Sequence, residues 1–102
     1  MISIKRGDTL RLFIRLTDSD DNPIDIDVEN IRSQIRDTAG NLIDEFKVEK
    51  TSELGQYKFT TEGTSEYPIT TLESDIEFII NNTIKSSNTF MIKVIRDVTR
   101  CE

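Results

Sequence analysis

Residues 9–17 read T-L-R-L-F-I-R-L-T, and their rhythm decides the fold. Leu10, Leu12, Ile14 and Leu16 take one parity; Arg11, Phe13 and Arg15 take the other. Only an extended chain sends alternate side chains to opposite faces, so the segment reads as a strand with one buried and one outward face. The rhythm returns along the chain. Ile2 and Ile4 alternate with Ser3 and Lys5 before Gly7-Asp8 interrupts them. Ile31, Ser33 and Ile35 alternate with Arg32, Gln34 and Arg36. Residues 42–50, 56–61, 72–80 and 88–98 behave alike, with Phe46 and Val48, Tyr57 and Phe59, Ile76, Phe78 and Ile80, then Phe90, Ile92 and Val94 in phase.

Between these runs lie turn-formers. D-S-D-D-N-P at 18–23, T-A-G-N at 38–41, residues 51–55 ending in Gly55, and 62–68 with Gly63 and Pro68 all break a sheet interior. Residues 24–29 alternate Ile24, Ile26 and Val28 with acids and read as a short acidic strand or an extended link; residues 81–87 read as a polar loop. Seven or eight short strands, with no room for ordinary crossover helices, predict an all-β fold. The expected architecture is an antiparallel two-sheet immunoglobulin-like sandwich forming one domain over residues 1–102. A chain of this length buries roughly 60–65% of its unfolded surface, enough to fold without staples. With no tryptophan, the Cys–Trp–Cys signature of antibody domains is missing, so the immunoglobulin likeness is one of shape.

Composition narrows the function classes. Nineteen acids against 13 bases give a net charge of −6, which argues against a nucleic-acid partner. The imbalance is local, because residues 18–29 hold six acids and no base. Arg11, Arg15, Arg32 and Arg36 sit at outward parity on strands. Two readings stay open: solvated strand faces with cross-strand ion pairs, or a basic patch that meets an acidic patch on a neighbouring subunit. The lone Cys101 near the C-terminus cannot form an internal disulfide. No segment approaches the roughly 18 apolar residues of a membrane span, and the N-terminus has no apolar signal region, so a chain made in the cytosol, independent of membranes and not exported by an ordinary cleaved signal, is expected.

Candidate sites divide quickly. Asp18, Asp20, Asn22 and Glu29 fall at positions 1, 3, 5 and 12 of an EF-hand-like calcium loop. Position 6, however, is Pro23, whose fixed φ cannot make the turn that glycine makes, and the flanks are strands rather than helices. An acidic turn is expected, with a looser calcium site on Asp18, Asp20 and Asn22 as the alternative. Arg6-Gly7-Asp8 spells an integrin tripeptide but opens a strand; Asn81-Asn82-Thr83 is a glycosylation sequon without an export signal. There is no histidine, no glycine-flanked nucleophile elbow and no phosphate loop, so no catalytic residue, metal or cofactor is assigned and no enzyme is expected.

The stretch R-G-D-T-L-R-L-F-I-R-L-T-D-S-D-D-N-P-I-D-I, residues 6–26, resembles the opening of small immunoglobulin-like β-sandwich proteins of tailed phages and prophages. Such chains begin with a Gly-Asp-Thr turn, run into an alternating strand, turn through an acidic Asn-Pro, and continue into an arginine-bearing strand like I-R-S-Q-I-R-D at 31–37. The later segments G-Q-Y-K-F-T, Y-P-I-T-T-L-E-S-D-I-E-F and F-M-I-K-V-I-R-D-V-T-R are similar too. Many members carry tryptophan where Tyr67 stands here. The resemblance implies a virion structural protein of tail or baseplate, made in the bacterial cytoplasm and present in the virion once assembled, whose partners are itself or other tail proteins. Arg11, Arg15, Arg32 and Arg36 are its interface candidates, with loop 18–22 as a second. The alternative functions are a sandwich presenting loops to a host protein or glycan, and an acidic regulator that occupies a basic partner.

Overall fold

The computed structural model describes residues 2–61, 63–87 and 89–96. Cys101 and the closing Asp97-Val98-Thr99 lie outside them, as do Glu62 and Asn88 at the starts of two predicted segments. Three ladders carry the chain. β2 (Leu10–Arg15), β7 (Gln56–Thr61) and β6 (Lys47–Lys50) form an antiparallel sheet in the order β2-β7-β6. β1 (Ile2–Lys5), β11 (Phe90–Ile95), β8 (Thr71–Ser74), β4 (Gln34–Arg36) and β5 (Leu42–Glu45) form a five-stranded sheet in the order β1-β11-β8-β4-β5. A third ladder orders β10 (Thr83–Ser86), β9 (Glu77–Ile80) and β3 (Ile31–Arg32) as β10-β9-β3. The protein is all-β, as the alternation predicts.

The decisive segment pairs Leu10 with Thr61, Leu12 with Phe59 and Ile14 with Tyr57 on the inner face. Buried Leu10, Tyr57 and Phe59 join Ile4, Ile35, Leu72, Ile92 and Val94 from the five-stranded sheet in one hydrophobic core. Phe46 and Phe59 meet edge to face there, ring centres 6.0 Å apart.

Among the described residues eleven strands replace the expected seven or eight, because three longer runs are interrupted and one further strand, β10, forms where a loop is expected. Ser33 parts β3 from β4, and Asp75-Ile76 part β8 from β9, yet the register is the same on both sides: Ile31 faces Phe78 and Ile35 faces Ser74. At the gap, buried Ser33 shares a 3.0 Å hydrogen bond with Ser74 Oγ and donates to the Asp75 carbonyl at 2.7 Å. Serine side chains thus replace the missing rungs, which satisfies polar groups that would otherwise be buried unpaired. Phe46 parts β5 from β6, and there the chain leaves the five-stranded sheet for the three-stranded one.

Two expectations need correction. The architecture is not wholly antiparallel, since β1 runs parallel to β11 from Ile2 opposite Ile92 to Lys5 opposite Ile95. A parallel pair needs a long connection, and here most of the chain lies between the two strands, so no crossover helix is required. Residues 81–87 are not a loop: Asn81 and Asn82 both take positive φ, 51° and 62°, and close a tight hairpin between β9 and β10. Asparagine tolerates that left-handed region, which primed hairpin turns demand. Residues 24–29 are the extended link, ending in a 3-10 turn at Val28–Asn30. Their half-buried Ile24, Ile26 and Val28 pack on the core.

Tyr57 fixes that link. Its hydroxyl, carried by a side chain that is 1% exposed, accepts the Ile26 N–H at 3.0 Å and donates to the Ile24 carbonyl at 2.8 Å. Tyr57→Phe removes both bonds and is expected to cost about 1–3 kcal/mol. The check is urea unfolding, read as a lower midpoint at unchanged slope. A loss below about 0.5 kcal/mol would show that the hydroxyl does not anchor the link.

Candidate functional site

The four arginines occupy two different sheets and differ in what holds them. Arg32 on β3 donates through Nε to Glu45 at 2.9 Å, and this hydrogen bond first, then the charge of Glu45, raises its pKa. Arg36 on β4 donates to the Gly40 carbonyl and to Gln34 Oε1, each at 2.9 Å, and so buttresses its own hairpin. Arg11 and Arg15 on β2 make no hydrogen bond or ion pair among the described residues.

The surroundings of Arg11 and Arg15 follow from the register. Outward across β2, β7 and β6 run the rows Arg11–Thr60–Lys47, Phe13–Lys58–Glu49 and Arg15–Gln56. Four cations share this face with Glu49 alone, and both lysines reach Glu49 only at 3.9 Å. A depression of about 390 Å³ opens beside Arg11, Lys47, Lys58 and Thr60. Asp44 and Glu45 line it too, but they are already engaged by Tyr67 and Arg32. Phe13 is 59% exposed, and the buried Thr60 Oγ1 has no hydrogen-bond partner among the described residues.

The acidic loop is an internally bonded turn. One Asp18 oxygen accepts the N–H groups of Asp20 and Asn22, each at 2.9 Å, and the Asn22 amide reaches the other at 3.4 Å. The Asn22 backbone bond leads in holding the Asp18 pKa below its ordinary value. Asp20 and Asn22 thus meet Asp18 through donors, whereas a metal would need their oxygens. Among the described residues no three acidic or cysteine side chains converge on a point where they could hold a metal ion. Beyond the loop, Asp25 pairs with Lys50 at 2.7 Å, a bond that raises the lysine pKa.

Two features escape a reading of the sequence alone. The β9–β10 hairpin sets exposed Ile79 opposite exposed Ile84, and every β10 side chain is exposed. Its signal is the Asn81-Asn82 pair between two apolar-bearing runs, weaker than an Asn-Gly turn. Tyr67, 3% exposed, donates to Asp44 Oδ2 at 2.6 Å and lies 3.2 Å from Thr61 Oγ1, which ties β5 to β7. Burial first, then that carboxylate, raises its pKa well above 10.0, so the bond's contribution persists below that pH and fades as alkali removes the proton. Arg6-Gly7-Asp8 is a tethered turn, with Thr64 Oγ1 accepting the Gly7 N–H and donating to the Asp8 carbonyl.

No family model, no curated protein and no solved structure matches the chain. Among the described residues no helix is long and apolar enough to cross a membrane.

The turn at 37–41 supplies a pH test. Asp37 accepts the Asn41 amide at 3.0 Å and the N–H groups of Asn41 and Ala39 at 2.8 and 3.0 Å; these bonds, the Asn41 side chain first, lower its pKa. A depressed carboxylate contributes stability above its ordinary pKa and loses it as pH falls through the folded value. In an NMR titration Asp37 should therefore have its midpoint below 3.8 and move back toward it in Asn41→Ala. A wild-type midpoint at or above 3.8 would contradict the bonding pattern.

Proposed function

We propose that this chain is a non-enzymatic structural component of a phage or prophage particle, of the tail or baseplate type, working through protein–protein interfaces. The observation that carries the reading is the β9–β10 arm. Among the described residues β10 is paired on one edge only, and the Ile79–Ile84 pair lies in solvent although thirteen other hydrophobic residues are buried in the core. An open strand edge with exposed aliphatic side chains is suited to pairing with another chain. Natural proteins usually blunt such edges, and Lys85 is the only charge on this one.

The sheet orders support an immunoglobulin-like form of the sandwich. One sheet has the order β2-β7-β6, the other carries β11, β8 and β4 side by side, and the chain changes sheets between β5 and β6. Strand pairings of this kind, with neighbours drawn from distant parts of the sequence, typify that architecture. The resemblance of residues 6–26 to phage sandwich proteins points the same way. Such a domain acts by burying outward faces against copies of itself or other tail proteins, with no bond made or broken.

Sequencing the genes that flank this one in its source DNA tests the reading. Tape-measure, baseplate or fibre genes beside it are the expected result. Neighbours of unrelated host function would overturn it and favour the loop-presenting module.

A further inference from the structure

We propose that the outer face of β2, β7 and β6 receives the acidic segment 18–29 of a second copy of the chain, in a head-to-tail contact. The proposal rests on the assembly reading above and names the partner of one surface.

The face has the makeup of an unfilled interface. In a chain of net charge −6 it gathers Arg11, Arg15, Lys47 and Lys58 around the exposed ring of Phe13. Two cations elsewhere are held by close carboxylates, Arg32 by Glu45 at 2.9 Å and Lys50 by Asp25 at 2.7 Å, whereas here Glu49 stands 3.9 Å from each of two lysines. An aromatic ring flanked by arginines is enriched at the energetic centre of interfaces, where it contributes area while the guanidinium groups recognise carboxylates. The buried Thr60 hydroxyl, in the row between Arg11 and Lys47, has no acceptor among the described residues.

Segment 18–29 is the matching half. It carries six acids and no base, and of the six only Asp25 has an ion pair among the described residues. Asp20, Asp21, Asp27 and Glu29 are exposed. The strip is held in advance, because Ile24, Ile26 and Val28 pack on the core and Tyr57 bonds the backbone at Ile24 and Ile26. Carboxylates on an ordered strip lose less conformational freedom on docking. No ion pair joins segment 18–29 to Arg11, Arg15, Lys47 or Lys58 within one molecule among the described residues. Because the two halves are different patches, each copy can give one and receive the other, which builds rings or filaments rather than closed two-fold dimers.

The test uses the full chain in sedimentation velocity, with two variants that each reverse one half: Arg11→Glu/Arg15→Glu and Asp20→Lys/Asp27→Lys. The wild type should associate as concentration rises and dissociate as salt rises. Each variant alone, folded by circular dichroism, should associate roughly a hundredfold more weakly. Mixed together they still hold one intact basic face and one intact acidic segment, so they should form one-to-one dimers that grow no further. A wild type monomeric at all concentrations overturns the proposal. So does association retained by both variants, or variants that fail to pair on mixing. Association that appears only with an added polyanion such as heparin also overturns it and assigns the face to a foreign partner. Retained association would remove this contact while leaving the assembly reading to the flanking genes.

Discussion

The register between β2 and β7 governs both halves of the molecule. With Leu12 opposite Phe59 and Ile14 opposite Tyr57, the apolar parity of both strands lies inward, and Arg11, Phe13, Lys58 and Thr60 are set outward together. Side chains alternate with period two, so a slip of one residue would drive Phe13 and the arginines into the core and turn Leu12 and Ile14 to water. Burying even one unpaired arginine is far costlier than burying a leucine is favourable, so the register is strongly specified. The same constraint places the Tyr57 hydroxyl where it can hold residues 24–26. The order of the acidic link is therefore a consequence of the sheet.

The rest of the fold is a set of local solutions to interruptions. Where the ladder lapses at Ser33, paired serine hydroxyls take its place, and the Phe46 N–H donates to the Ser33 carbonyl at 2.8 Å as the chain changes sheets. One small region thus serves as both seam and corner. Tyr67 bridges β5 and β7 near the opposite end of β7, through Asp44 and beside Thr61. Neither polar device is on the outside, so the outer faces are left to carry charge and exposed apolar groups for other purposes.

Alternation made the strands legible wherever one face is buried, as at 10–15, 31–36 and 56–61. It also separated inward from outward residues, including all four arginines. Parity cannot distinguish an arginine with a partner from one without. Arg32 and Arg36 differ from Arg11 and Arg15 only through Glu45, Gln34 and the Gly40 carbonyl, contacts set by the β4–β5 hairpin and its neighbour strand. The sequence of β10, T-I-K-S, reads as part of a loop because it carries one apolar residue and no alternation, as suits a strand whose four side chains are all exposed. The parallel pairing of β1 with β11 was equally hidden, since it joins the two ends of the described chain and no local pattern encodes so distant a neighbour.

Surface and core both descend from one register, so its direct observation by NMR bears most on the account. Cross-strand contacts should join Leu12 with Phe59 and Ile14 with Tyr57 toward the core, and Phe13 with Lys58 on the outer face. Contacts that instead set Phe13 opposite Phe59 would mean a one-residue slip, and the basic face with its exposed ring would not exist.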